Sequence, residues 1–277
     1  MYTLSEIWIY PVKSLGGIRL PEATVQQRGL QHDRRWMIVD ENGRFITQRK
    51  VHEMALLDVG LDADGLRLWH RHAPEDVLQV PFEPSTPTPL RVTIWDDEVP
   101  AVAVSPEADR WLSDKLGRAV RLVLMPESTR RLVDPRYAQA QEVVSFADGY
   151  PCLLISQASL DDLNARLPEP LSMKRFRPNL VVTGTLPYAE DQWRTFTVGE
   201  VLFQGVKPCA RCVLTTIDPD TAATGPEPLR TLATYRKQQN KILFGQNLLP
   251  QTLGRLAEGD TVTVAEQGQV PLVPSTP

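Results

Sequence analysis

Cysteine and histidine are scarce, at three and four residues among 277. So few thiols build no disulfide framework, and free thiols fit a reducing cytosol. A four-ligand zinc site or a four-thiolate iron–sulfur cluster fails on the same count. Beyond Cys209 and Cys212 only Cys152 is left, and His32, His52, His70 and His72 form no pair at zinc spacing. No charge of one sign dominates. The net charge is −4 with a pI near 5.7, so bulk electrostatics offers no grip on nucleic acid or anionic membrane. No apolar run approaches the ~20 residues that span a bilayer, and Met1 to Glu6 shows no basic segment leading into an apolar core. A cytoplasmic protein is expected, with neither nucleic acid nor membrane as partner. A Gly-x-Gly-x-x-Gly after a strand is also missing, so a dinucleotide-binding site of that kind is not expected.

What is present is ordinary globular material, 42% hydrophobic and 23% charged, enough for one large or two ordinary domains. Strand signals fill the first hundred residues: Leu4 to Val12, Ala55 to Leu61, Leu66 to Trp69, Leu90 to Trp95 and Val99 to Val104. Trp36 to Gln48 reads as a hairpin turning at Asn42-Gly43. Pro81, Pro84, Pro87 and Pro89 mark an irregular connection. Ser105-Pro106 starts a helix that Gly117 closes, with Ala108, Trp111, Leu112 and Leu116 on one face. The polar stretch 126–141 reads as a loop, which puts the domain boundary near residue 125. Residues 1–124 form a β-rich N-terminal domain, 125–266 a second domain, and 267–277 a disordered tail. In the second part a helix is expected near Ser159 to Leu167, with strands near Leu180, Thr195, Val201, Ile242 and Thr261. The fold class is mainly β (α+β), with a barrel architecture.

The chemistry concentrates in Lys207-Pro-Cys-Ala-Arg-Cys-Val-Leu-Thr-Thr-Ile-Asp-Pro-Asp220. Two cysteines precede a β-branched run, Val213 to Ile217, which Asp218-Pro219-Asp220 ends as a turn. A thioredoxin-like pair would open a helix, and these residues read as a strand. Inert buried cysteines are the plain alternative. The other reading is a thiophilic metal held by one thiolate, with an organic cofactor supplying the remaining ligands.

This segment resembles the cysteine segment of the MOSC domain. Ile9-Tyr-Pro-Val-Lys-Ser14, Asp33-Arg-Arg-Trp36, Phe146-Ala-Asp148, Phe176-Arg-Pro-Asn179 and Phe244-Gly-Gln-Asn247 agree with that family in order, across residues 1 to about 265. The resemblance is strongest to the amidoxime-reducing components and their bacterial counterparts, in which a β-rich domain precedes the MOSC β-barrel domain. It implies molybdenum cofactor (a molybdopterin), no pyridoxal phosphate, and reduction of small N-hydroxylated compounds by oxygen abstraction. Without a four-cysteine extension after residue 265, electrons would come from a separate ferredoxin-type or flavin reductase. The rival is a carrier that holds cofactor or sulfur without turnover.

By the same resemblance Cys212 is the metal ligand and catalytic thiolate, and Cys209 is not a ligand. Lys13, Ser14, Arg34, Asp148, Arg177, Asn179, Ala210, Arg211 and Asn247 surround the cofactor. Lys13 suits a phosphate as a point charge and Arg34 as a planar fork, although a solvated lysine is the simpler reading of Lys13. Arg177, ahead of Pro178, is expected extended; the alternative is an arginine tying two loops together. Arg49 is assigned no role.

Overall fold

Seven strands close a ring in the computed structural model, which describes residues 1–138 and 140–268. Around the ring they run Cys152–Ser156, Leu180–Thr183, Tyr2–Ile9, Thr261–Gln267, Trp193–Val198, Val201–Arg211 and Lys241–Pro250, which pairs back to Cys152–Ser156. Closure gives each of these seven strands a neighbour on both sides. Inside lie Leu4, Ile7, Leu154, Leu180, Trp193, Phe196 and Phe203, all at most 1% exposed. Phe196 stacks on Phe203 with centroids 5.8 Å apart, and Trp193 leans on Phe196 at 5.2 Å. Gly205 is required where these strands close up, because a Cβ there would sit 1.9 Å from the Trp193 carbonyl oxygen.

The first strand pairs with Leu180–Thr183 on one side and Thr261–Gln267 on the other. Sheet pairing therefore crosses the boundary expected near residue 125. Between these contributions sit two smaller sheets. One orders Trp36–Val39, Arg121–Leu124, Asp97–Ala103 and Thr88–Ile94; the other orders Leu57–Leu61, Gly65–His70 and Ala73–Pro81. The helix Pro106–Leu116 packs over them through buried Ala108 and Leu112. Ser105 Oγ accepts the Ala108 N–H at its start, and Gly117 takes the left-handed conformation at its end.

Several expectations need correction. The turn at Gly43 forms, but the return strand of the hairpin is only a bridge between Val39 and Phe45. The chain then curls through Thr47, whose carbonyl accepts from Lys50 N and Val51 N, and this curl carries Arg49 inward. The proline-rich connection hides the strand Ala73–Pro81, and Pro89 lies in Thr88–Ile94. Val213–Thr216 is one turn of 3-10 helix rather than a strand. Its threonines explain this: Thr215 Oγ1 bonds the Cys212 carbonyl at 3.0 Å and Thr216 Oγ1 the Val213 carbonyl at 2.8 Å. Hydroxyls that bond nearby backbone compete with a sheet ladder. Of the tail expected from residue 267, residues 269–277 lie outside the described residues, as does Gln139.

Candidate functional site

The strand Val201–Arg211 delivers the cysteine segment. Its register shifts between Gly205 and Lys207 and again between Pro208 and Ala210. Bulges re-aim side chains, and here they send both Cys209 and Cys212 into one cleft. Cys209 lies within the strand and Cys212 follows it as the cap of the 3-10 turn. Cys152 is fully buried and its thiol is pushed up to about 12, chiefly by that burial.

All ten expected site residues border this cleft, which encloses about 140 Å³. Lys13 follows a parallel bridge between Val12 and Trp36, and its N–H bonds the Trp36 carbonyl. Its ammonium reaches the Phe146 carbonyl at 2.8 Å and Asp148 Oδ1 at 2.5 Å. Burial lowers the Lys13 pKa to about 8, against the pull of Asp148. Burial would raise the Asp148 carboxyl, but Lys13, Arg49 and Arg34 hold it well below the usual carboxylate range. Ser14 beside Lys13 is buried with φ +67°.

Arg34 sits in a turn at φ +48°, so strand alternation does not separate it from Arg35. Arg34 Nη1 donates to Asp33 Oδ2 at 2.5 Å and to Asn179 Oδ1 at 3.1 Å; Arg35 instead pairs with Glu127. Burial opposes the Arg34 charge, yet Asp33 and Tyr10 raise its pKa. Arg177 is not extended as expected: φ +54° places it in the left-handed region, capping the turn Met173–Phe176. Its Nη1 donates to the Leu15 carbonyl at 2.7 Å, and its buried Nη2 has no partner among the described residues. Burial brings its pKa down to about 10. Asn179 is 1% exposed with its amide spent on protein: Oδ1 also accepts from Leu153 N, and Nδ2 donates to the Trp8 carbonyl. It braces Arg34 rather than facing the cleft with free donors.

Ala210 is exposed, and Asn247 Nδ2 bonds the Lys207 carbonyl across the strand pair. Arg211 Nη1 meets Cys209 Sγ at 3.1 Å and Nη2 the Phe176 carbonyl at 2.7 Å, while its buried Nε is unpartnered among the described residues. Arg49, with no expected role, also borders the cleft, its Nη1 4.0 Å from Cys212 Sγ. Tyr10, also with no expected role, carries on its ring the guanidiniums of Arg34 at 4.3 Å and Arg177 at 4.1 Å. Arg131 is 5% exposed and bonds the carbonyls of Ser145, Ala147 and Asp148, fixing the loop beside Lys13. Only one hint was visible: Arg131 lies in a stretch with two other arginines.

Five cationic side chains (Lys13, Arg34, Arg49, Arg177, Arg211) face two carboxylates, Asp33 and Asp148. The guanidiniums of Arg34 and Arg177 share one ring at under ~9 Å separation, which at an effective dielectric near 20 costs about 2 kcal/mol of repulsion. Two buried guanidinium nitrogens of the residues bordering the cleft, Arg177 Nη2 and Arg211 Nε, have no acceptor among the described residues. A cleft so charged suits an anion at one end and, beside an accessible thiol, a soft metal at the other. No group of three or more metal-ligating side chains occurs among the described residues, so any metal would depend on ligands from outside the chain.

The site is thus a cationic cleft ending in a thiol, carried by a seven-strand barrel with a β-rich insertion. The chain matches the MOSC N-terminal beta barrel domain over residues 1–119 and the MOSC domain over 141–263. It is 33% identical to mitochondrial amidoxime-reducing component 1 of Mus musculus, covering 96% of this chain and 83% of that protein. Against mitochondrial amidoxime reducing component 2 of Homo sapiens the identity is 34%, over 94% and 82%. Molybdenum cofactor sulfurase of Oryza sativa is 31% identical over 95% of this chain, which corresponds to 34% of that longer protein. The chain belongs to the MOSC-domain family that includes the amidoxime-reducing components. No helix among the described residues is long and apolar enough to cross a membrane.

Proposed function

We propose that this chain is a molybdenum-cofactor-dependent reductase of small N-hydroxylated compounds: amidoximes, hydroxylamines and N-hydroxylated bases. The observation that carries the reading is the union in one cleft of an accessible thiol, Cys212, with a braced cationic cradle whose Arg177 Nη2 and Arg211 Nε are buried and, among the described residues, unpartnered. Those residues fit an anionic pterin cofactor. Lys13, Arg34 and Arg177 would hold its phosphate, Arg211 and Asn247 would flank the pterin, and Cys212 would ligate the metal. When bound, the reduced molybdenum cofactor would supply the two electrons that break the substrate N–O bond. The balance is R–NHOH plus two protons and two electrons giving R–NH2 and water. The chain's part is to bind and orient. Its Asp148 carboxylate is held ionised by Lys13, Arg49 and Arg34, so near neutral pH it is a fixed negative charge that holds the Lys13 ammonium rather than a proton donor or an effective base.

Electrons would come from a separate ferredoxin-type or flavin reductase. The three free thiols fit a reducing, cytoplasmic setting. The decisive experiment supplies benzamidoxime to dye-reduced protein purified from a cofactor-competent host. Many benzamidines per molybdenum, and none with NADH and this chain alone, are expected. The relation to molybdenum cofactor sulfurases keeps the carrier reading specific. Product at or below one equivalent per metal, with cofactor passing to an acceptor apoenzyme, would establish the carrier instead.

A further inference from the structure

Arg49 stands apart from the other cations of the cleft. Lys13 and Arg34 are ion-paired, Arg177 is tied to the Leu15 carbonyl, and Arg211 to the Phe176 carbonyl. Arg49 forms no ion pair among the described residues, and its one hydrogen-bond contact is the 4.0 Å approach to Cys212 Sγ. What holds it is a ring: its guanidinium lies 4.3 Å from the centroid of Trp95. Trp95 in turn leans on Phe45, with centroids 5.1 Å apart.

Trp95 is kept in an unfavourable way. It sits at φ +56° in the turn joining Thr88–Ile94 to Asp97–Ala103, a region where a bulky residue is an outlier. It is also 38% exposed, one of the few large apolar side chains at the surface. A fold need not place a strained, half-exposed tryptophan at a turn tip for stability alone. Its position braces Arg49 over the thiol from the opposite half of the chain. Stacking on one face leaves the guanidinium edge, with its N–H donors, turned to the cleft that Arg49 and Cys212 both border.

We infer that Arg49 is a substrate-binding residue that donates hydrogen bonds to the oxygen of the N–O group at the thiol end of the cleft, and that Trp95 is the positioning residue that holds it there. This rests on the reductase reading and deepens it. The site would select an N-hydroxylated compound over its parent amine or amidine, because only the former brings an oxygen acceptor to Arg49.

The test is binding without turnover. Oxidised holoprotein is titrated calorimetrically with benzamidoxime and with benzamidine, alongside the Arg49→Met, Arg49→Lys, Trp95→Leu and Trp95→Phe variants, and molybdenum is measured in each. The wild type should prefer benzamidoxime by about 10-fold or more, as a charge-assisted hydrogen bond implies. Arg49→Met should abolish the preference with metal content unchanged, and Arg49→Lys should restore part of it. Trp95→Leu should weaken the preference, Trp95→Phe should recover it, and the double variant Arg49→Met with Trp95→Leu should be no worse than Arg49→Met alone. Retained preference in Arg49→Met overturns the inference. So does loss of molybdenum in Arg49→Met and Arg49→Lys, since Arg49 would then hold the cofactor. Additive losses in the double variant remove Trp95 from the assignment. A wild type that shows the preference but never turns over would sink the reductase reading while leaving Arg49 in place.

Discussion

The two ends of the cleft are built on opposite terms. At one end Lys13 and Asn179 are buried and Arg34 is partly buried, and each is fastened to a carbonyl or carboxylate from a distant segment. Asn179 joins Trp8, Arg34 and Leu153 through a single amide. At the other end Cys212 is exposed, Val213 beside it is 55% exposed, and Arg49 rests on a ring rather than on an ion partner. An anion that stays bound is best met by donors already fixed in place, because their ordering and desolvation are settled on folding. A centre that must admit and release small molecules needs open positions. The contrast separates retention from reaction, and mutations can probe each end alone.

The largest effect is expected at the open end. Cys212→Ser replaces a soft thiolate with a hydroxyl, a poor ligand for a thiophilic metal. Molybdenum retention should fall and benzamidoxime reduction should vanish. An exposed site should leave the apoprotein's thermal midpoint within about 2 °C of wild type, as surface changes stay within about 0.5 kcal/mol. A large drop in midpoint would mean that Cys212 is structural and the comparison of ends is misdrawn.

At the fastened end, Arg177→Met should release the cofactor and also cost about 1–3 kcal/mol, because the Leu15 carbonyl loses its donor. Arg177→Gly removes the same charge but relieves a left-handed backbone worth about 1–2 kcal/mol. Both variants should be metal-poor, with the glycine variant melting higher. Equal melting would show that the strain at φ +54° is not felt.

Lys13 gives a pH test at the same end. Its pKa near 8 lies below its ordinary 10.5, so between those values the unfolded chain binds more protons than the folded one. Stability of the apoprotein should therefore rise with pH across that window, and below about pH 8 this group adds no slope. Cofactor affinity should fall over the same range as the ammonium loses its charge. Asp148, Arg131 and Arg49 face this lysine, and Asp148 opposes the loss. Lys13→Met should remove both trends in thermal melts and in metal release followed from pH 7 to 10. Opposed slopes that persist in the variant would assign them to another group.

Much of the barrel was legible where burial alternates along a strand, as over most of Val201–Arg211, and the capped helix Pro106–Leu116 was marked by Ser105 and Gly117. The residues around the cleft were legible as short motifs from a family resemblance, and their roles are proposals. Local rules failed where distant partners decide. A residue before proline avoids helical conformations on average, yet Arg177 goes left-handed where its guanidinium stacks on Tyr10, remote in sequence. β-branched Val213 to Ile217 reads as a strand until threonine hydroxyls close a turn. Arg49 gave no signal, because the residue it approaches is 163 positions away.

The smallest effect sharpens the contrast furthest. Cys209 and Cys212 differ by three positions and border the same cleft, but only Cys209 has a close donor, Arg211 Nη1 at 3.1 Å. That guanidinium also holds the Phe176 carbonyl at 2.7 Å, which keeps it in place without the sulfur. Cys209→Ser retains a hydrogen-bond acceptor of similar reach, so metal content should be unchanged and kcat/KM for benzamidoxime within about threefold, the ~0.6 kcal/mol of one adjusted neutral contact. Cys209→Val should cost more than Cys209→Ser, since Arg211 would then lose an acceptor at that nitrogen. If Cys209→Ser strips molybdenum while Cys212→Ser keeps it, the two thiols have exchanged roles and the strand, not the turn after it, carries the metal.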